Sequence, residues 1–501
     1  MLGLDTLLAL LLGVAYGLLK GVLFPGIPAT LSLVLVLPIL IFLSPAEACA
    51  AVIGLTTTAI FTGDAGSVMV RVPGTPASAA YTEEIHEVGR TRTPAFALGL
   101  STTAATLGGL ISILFLVMGS LGLAQVAKLF SSVENTWVVV MGIISGIFGA
   151  PSLLKGVLGF TFGMLLGTVG VDPTFGIPRF TFNNPYLLGG IEFIVALVAL
   201  FGVSEVFHTL NAFASQAARG ERSQSQAGYS LRRLLRAFFL EAPLTVWRER
   251  WLFLRSSLIG VFIGLMPGAG SDTAAWISAN FARLRRNHKP EQVAVAGAAG
   301  SDSTIAGDWI PTLALGIPGD TMTTVVLGMF MALGITPGPA LFKEQLNLVW
   351  QIYLAFFLSA VVFRPVVGFL AVMLVSRITQ IPRYLLLGAV TSLCIVGAYA
   401  VNRSADDLFL LPILGLFGLL LRRGGFTLGP IVLGLVLGPL LERNVAMSLI
   451  KANGDLTAFF DRPLAAALAL LDVALVVSLL YLRRREAAVK PQAGLVGGYE
   501  E

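Results

Sequence analysis

The sequence predicts an all-α polytopic membrane protein, with about ten to fourteen transmembrane helices in two inverted repeats, each carrying Pro-Gly-broken or re-entrant helices. Three observations predict it. Of the 501 residues, 56% are hydrophobic and only 12% charged, with a mean hydropathy of +0.85, against roughly 25% charged residues in a soluble domain. A pair of Pro-Gly breaks then occurs twice: Pro25-Gly26 with Pro73-Gly74, and Pro267-Gly268 with Pro318-Gly319, offset by 242 to 245 residues. Finally, the loop after the third break, ARLRRNHKP, is basic, whereas LSPAEA at the matching place after the first break carries no basic residue. Under the positive-inside bias these loops face opposite sides, which makes the duplication an inverted one.

A spanning helix needs about 20 mostly apolar residues. Such stretches lie near 2–19, 29–43, 48–62, 98–119, 137–170 (read as two), 187–207, 257–281 and 292–335 (both broken), 346–375, 385–400, 408–421, 426–441 and 463–482. The amino terminus MLGLDTLLALLLGVAYGLL has neither a basic leader nor a small-residue cleavage site, so it reads as a retained first helix. Residues 1–215 form the first membrane repeat, 216–256 a basic cytoplasmic linker, 257–482 the second repeat and 483–501 a cytoplasmic tail. Arginines crowd the linker (Arg219, Arg222, Arg232, Arg233, Arg236, Arg248, Arg250, Arg255); Arg283, Arg285, Arg286 and Lys289 form a second group, and Arg483, Arg484 and Arg485 a third. This placement assigns the net charge of +5 to cytoplasmic loops facing a lipid bilayer rather than to nucleic acid. Around LRRLLRAFF it fits a basic amphipathic surface helix or a solvated loop helix.

Cys49 and Cys394 sit far apart in apolar helices, and His86, His208 and His288 are unrelated in sequence. No disulfide framework, metal centre or other cofactor is expected.

Each Pro-Gly interrupts a helix and frees amides on one side and carbonyls on the other. Freed amides attract anions and freed carbonyls coordinate cations. The candidate substrate-binding residues are therefore Pro25, Gly26 and Thr30; Arg71, Pro73, Gly74, Thr75 and Ser78; Pro267, Gly268 and Gly270, with Ser271, Asp272 and Thr273 following; and Pro318, Gly319 and Thr321. Charged groups at membrane depth mark pathways or sites by default, so Asp64, Asp302, Asp308 and Asp320 are candidates for a coupling-ion site. Plain readings stand beside these: Arg71 snorkels to an interface, and Asp64 and Asp308 accept amide hydrogen bonds in a re-entrant turn. A Gly-Asp precedes each second break, Gly63-Asp64 and Gly307-Asp308, which favours Asp308 among the four.

Five segments carry a family resemblance: GDAGSVMVRVPGTPASAA (63–80), GVDPTFGIPRFTF (170–182), GGIEFIVALVALFGVSEV (189–206), IPTLALGIPGDTMTTVVLGMFMALGITPGP (310–339) and GGFTLGPIVLGLVLGPLLERN (424–444). Together they resemble the large membrane subunit of the tripartite tricarboxylate transporters over nearly the whole chain. The resemblance implies an elevator-like carrier, not an enzyme, in the bacterial inner membrane. It implies a small membrane subunit and a periplasmic solute-binding protein as partners, an organic carboxylate as substrate, and a transported cation, sodium, as the coupling ion. Where the family often has a glutamate followed by paired asparagines, this chain has Ser301, Asp302, Ser303 and Thr304, which leaves room for a different substrate or ion preference. Two readings from other classes compete: a passive channel or noncatalytic scaffold, and an intramembrane aspartyl protease using Asp64 and Asp308 as a carboxylate pair.

Overall fold

The computed structural model describes residues 3–23, 28–148, 150, 152–172, 176–208, 210, 230–266, 270–285, 287–378 and 383–493. Pro25, Gly26, Pro267 and Gly268 lie outside the described residues, as do Arg219, Arg222 and Arg286.

Helix α1 (Leu4–Leu23) leads to the first break, α2 (Ala29–Leu40) follows it, and α3 (Pro45–Thr62) continues as α4 (Asp64–Val70). Local sequence sets the ends. The Ser44 N–H donates to Glu47 Oε2 at 3.0 Å and Pro45 fills the first turn of α3, where its missing N–H costs nothing. Helix α4 stops at Arg71, whose φ of 55° is left-handed. After the second break Thr75 and Ser78 close a turn on each other: the Thr75 N–H donates to Ser78 Oγ at 3.0 Å and the Ser78 N–H to Thr75 Oγ1 at 3.1 Å. There follow α5 (Thr82–Thr91), α6 (Pro94–Ala127), α7 (Ser132–Phe148), α8 (Leu153–Gly167) and α9 (Phe193–Leu197), the last running on through a π-helical turn at Val198–Val203.

The second unit contains α10 (Leu231–Arg236), a π-helical turn at Ala237–Glu241, α11 (Ala242–Arg248), α12 (Arg250–Gly264), α13 (Gly270–Arg283), α14 (Pro290–Leu315) and α15 (Thr321–Ala332). Helix α12 thus begins inside the stretch 216–256 read as a linker, and 231–248 is helical as well. Helix α14 ends on Gly316, φ 71°, two residues before Pro318 just as Arg71 stands two before Pro73. The remaining helices are α16 (Pro339–Glu344), α17 (Leu346–Leu358), α18 (Arg364–Ile378), α19 (Arg383–Asn402), α20 (Asp406–Arg423), α21 (Leu428–Lys451) and α22 (Pro463–Ala493).

Glycines let the helices meet backbone to backbone. A Cβ at Gly13, Gly17 or Gly21 of α1 would overlap Ala51, Leu55 or Thr62 of α3; at Gly260 or Gly264 of α12 it would overlap Gly300 or Thr304 of α14. The same packing, small residues four apart, therefore recurs at the duplicated positions. Every residue from Ala48 to Thr62 in α3 and from Gln292 to Ala314 in α14 is buried, so these two helices form the core of their units. Helix α6 runs along α14, and Ser112 Oγ donates to the Ser303 carbonyl.

Six helical stretches are long and apolar enough to cross a membrane: Leu4–Val22, Pro45–Met69, Pro94–Ala127, Leu346–Leu374, Leu428–Lys451 and Pro463–Tyr481. Six more apolar helices, such as Ala29–Leu40 and Thr321–Ala332, have only 10–17 residues. Of the expected ten to fourteen transmembrane helices, some of them broken, six among the described residues are long enough to span by themselves. The breaks divide apolar sequence into half-length helices whose ends stay inside the protein. A two-residue antiparallel ladder, Gly170–Val171 with Pro178–Arg179, also qualifies the all-α expectation.

Candidate functional site

A cavity of about 300 Å³ is lined by residues that follow the duplicated breaks in sequence: Thr30, Thr75, Gly270, Ser271, Asp272, Thr273, Asp320 and Thr321. Residues that follow all four breaks, in two units offset by 242 to 245 positions, thus face one space. Four helices begin at its wall: α2, α13, α15 and α21, the last entering through Thr427, Gly429 and Pro430. Their first-turn amides have no partner within the helix. The lining is rich in hydroxyls and has two carboxylates, Asp272 and Asp320, and among the described residues no Lys, Arg or His.

The two carboxylates are fixed differently. Asp320 caps α15: its Oδ1 accepts from the Thr323 N–H at 2.7 Å and from Thr323 Oγ1 at 2.8 Å. Asp272 and Ala77 line the same wall of the cavity, which sets the start of α13 beside the turn after the second break. Gly270 (φ +66°) brings the α13 backbone against Asp320, and an added Cβ would stand 3.4 Å from Asp320 Cβ.

Behind the cavity, the glycines of the second and fourth breaks seat on the helix before them. A Cβ at Gly74 would overlap the Gly63 backbone, and one at Gly319 would overlap Asp308 at its Cα. Gly63 and Asp308 therefore hold equivalent places. The match of Gly63-Asp64 to Gly307-Asp308 is corrected by one residue, and on a helix one residue is a turn of about 100°. Asp308 is buried within electrostatic reach of Asp320 and Asp272, and its Oδ1 has no hydrogen-bond partner. Asp64 points elsewhere: it accepts from Tyr81 Oη at 2.9 Å and from Ser101 Oγ.

Asp64 and Asp302 belong to a second polar cluster away from the cavity. Asp302 lies 3.5 Å from Arg364 Nη2, both side chains almost fully buried, and Arg364 Nη1 also donates to the Ala105 carbonyl. Ser78 serves the turn and does not line the cavity. Pro73 and Pro318 flank the seated glycines. Arg71 is also outside the cavity: ending α4 in the left-handed region turns its side chain outward, where it pairs with Glu83 at 2.5 Å with 62% of the side chain exposed. That placement corrects its reading as a substrate contact.

Lys20, Arg364 and the start of α21 escaped the sequence reading of the site. Lys20 is buried and its Nζ reaches the Gly74 carbonyl at 3.4 Å, bracing the second break from α1. Both cations were signalled by lone charges in apolar runs, GLLKGVLF and AVVFRPVV, which merit attention by default.

An apolar helical bundle with half-length helices converging on an internal polar cavity defines a multi-pass membrane protein. The model of the tripartite tricarboxylate transporter TctA family matches residues 7–433, and the chain belongs to that family. The family is one of transporters, not enzymes, and this sets aside the protease reading. Among relatives, the chain is 30% identical over 477 residues to an uncharacterized 52.8 kDa protein of the TAR-I ttuC' 3' region of Agrobacterium vitis, covering 93% of this chain and 91% of that one. It is 32% identical over 219 residues to an uncharacterized protein of the TAR-II ttuC' 3' region of the same organism, covering 42% of this chain and 88% of that one. Among solved structures, the transmembrane domain of the cyanobacterial bicarbonate transporter BicA aligns over 87% of this chain and 98% of that one, at 15% identity and a TM-score of 0.19.

Proposed function

We propose that this chain is the large permease subunit of a binding-protein-dependent secondary transporter, which takes up organic di- or tricarboxylates across the bacterial inner membrane. Its partners are a small membrane subunit and a periplasmic solute-binding protein. The observation that carries this reading is the convergence of four helix N-termini and a ring of hydroxyls on one cavity. Each terminus presents roughly half a positive charge, and α2 and α21 begin with no side-chain cap on their first-turn amides, the means by which broken helices hold anionic substrates at membrane depth.

The charge balance of the cavity supports coupling to a cation. Asp272 and Asp320 line it and Asp308 stands behind; a carboxylate substrate arriving beside them meets like charge with no basic side chain among the described lining residues. A co-transported monovalent cation, sodium, relieves that repulsion and lowers the desolvation cost of the substrate. Asp308, with an unpartnered oxygen, is the leading ligand for it, with Asp320 beside it; Asp64 and Asp302 act in the second cluster. Uptake into vesicles carrying this chain, the small subunit and the binding protein, measured against sodium concentration, tests the reading. Sodium-driven accumulation is expected, and Asp308→Asn should abolish the sodium stimulation. An unchanged rate and sodium dependence would remove Asp308 from the site, and equilibration without accumulation would favour the passive-channel alternative.

The inverted repeat and the elevator motion belong to the same proposal. Arg71, at the end of α4, shares a groove with His288 and Pro290, at the entry to α14, which supports opposite directions for the two equivalent core helices. Single cysteines in place of the exposed Ser44 and His288 provide the test, since Cys49 and Cys394 are buried. Labelling of both by an impermeant reagent from the same side would end the inverted reading.

A further inference from the structure

Between the two units, residues 231–248 form an arm of α10, the π-helical turn and α11, and the arm has two unlike faces. Ala237, Phe238, Ala242 and Val246 are buried. Phe238 and Ala242 press on Gly99 of α6, Phe238 also meets Gly368 of α18, and its ring lies 5.6 Å from that of Phe369. The other face is apolar yet open: Leu231, Leu235, Phe239, Leu240, Leu244 and Trp247 are all exposed, and Trp251 just beyond is 74% exposed. Apart from the adjacent Phe239 and Leu240 they stand three or four residues apart, which keeps them on one side of the helix, and the π-helical turn carries the stripe past Phe238 as that ring turns inward.

Arginines flank this stripe. Arg232, Arg233, Arg236, Arg248 and Arg250 are exposed along it, and Arg236 is offset locally by Glu241 at 3.4 Å. The arm also lies at a boundary rather than at membrane depth. Gly99 is five residues into the 34-residue helix α6, about 8 Å from its start, and Arg92 just ahead of that start pairs with Glu291 at 3.2 Å. Glu249, closing the arm, binds Arg285 at 3.1 Å and Gln292 at 2.7 Å. Charged, water-facing pairs thus cluster at the level where the apolar stripe is exposed.

We propose that the arm is an interfacial helix whose open face binds anionic phospholipid, the apolar stripe entering the acyl boundary while the arginines hold the headgroup phosphates. A solvated helix would not expose six large apolar side chains along one side, and a helix within the hydrocarbon would not carry five exposed arginines. The combination of the two fits the headgroup layer of a negatively charged leaflet. Because Glu249 links the arm to Arg285 and Gln292, lipid held here steadies the hairpin of α13 and α14 that carries Ser271 and Asp272.

The test uses the full chain, purified and reconstituted alone in vesicles of phosphatidylcholine with or without phosphatidylglycerol. Brominated lipids quench tryptophan emission, and the share lost in W247F/W251F reports the arm. Brominated phosphatidylglycerol should quench that share more than brominated phosphatidylcholine does, and the preference should weaken with added salt. Each of R232Q, R236Q and R248Q should reduce the preference about fivefold, and because these side chains are exposed the variants should remain folded. Equal quenching by the two lipids would overturn the proposal, as expected if the face docks a protein subunit. A preference undiminished in the triple variant would overturn it too.

Discussion

The Arg364 guanidinium stands 3.5 Å from the Asp302 carboxylate, with the two side chains 2% and 1% exposed. Neither Asp302 oxygen has a hydrogen bond, and Arg364 Nε is also unpartnered, so the pair rests on Coulomb attraction and on the Ala105 carbonyl. Burying two charges is costly, and removing one leaves the other uncompensated. R364M or D302L alone should therefore destabilise the protein by about 3–5 kcal/mol. The double substitution R364M/D302L should lie closer to wild type than either. Thermal unfolding of the four proteins in one detergent closes the cycle, and additive losses would show that the pair is not coupled.

The seats of Gly74 and Gly319 give a second prediction. An added methyl would overlap backbone at Gly63 or at Asp308, and backbone cannot swing aside as a side chain can. G74A and G319A should each cost about 1–3 kcal/mol and lower transport, because the chain that lines the cavity begins one residue later, at Thr75 and Asp320. G122A, with nothing within 4 Å of its added carbon, is the control and should unfold as wild type does. If all three behaved alike, the seats would not be close-packed.

Much of this site was legible because a duplication repeats its errors as well as its features. Pro-Gly spacing drew attention to Thr30, Thr75, Gly270 and Thr321, and these four do line one cavity. What failed was register. A Gly-Asp dipeptide looks the same ten or eleven residues before a break, but one residue on a helix turns Asp64 toward Tyr81 and Asp308 toward Asp320. Arg71 misled for a related reason: in its place the second unit has Gly316, and both are left-handed helix ends, a backbone role that an arginine's charge disguises. The start of α21 was seen only as a family segment and not as part of the site, because GGFTLGPIV contains no break of the duplicated kind. Only tertiary packing carries Thr427 to the cavity.

Asp320 allows its structural and electrostatic roles to be separated. Its Oδ1 caps α15 through the Thr323 N–H at 2.7 Å, a task asparagine performs as well and alanine cannot. D320A should cost about 1 kcal/mol of stability, whereas D320N should unfold like wild type. If the charge at this place takes part in cation coupling, D320N should nevertheless lose sodium-stimulated uptake. Normal uptake by D320N would reduce the residue to a helix cap.

Arg71 gives the last prediction, and here the structure and the plain reading of the sequence differ most in outcome. A substrate-binding arginine replaced by alanine should stop transport. Arg71 instead spends its guanidinium on Glu83, with Nε 2.9 Å from Oε1, on an exposed surface outside the cavity. Exposed pairs of this kind contribute little and are screened by salt, so R71A should transport at near wild-type rate with an unchanged substrate KM. The pair should still show in a titration. Hydrogen bonding by Arg71 holds the Glu83 carboxyl below its usual range. The pair's small contribution is therefore complete above the ordinary glutamate value of about 4.3 and fades as the pH falls through the lowered one. In R71A the Glu83 carboxyl should titrate higher. Loss of transport in R71A at normal expression, with Glu83 titrating unchanged, would return Arg71 to the substrate path.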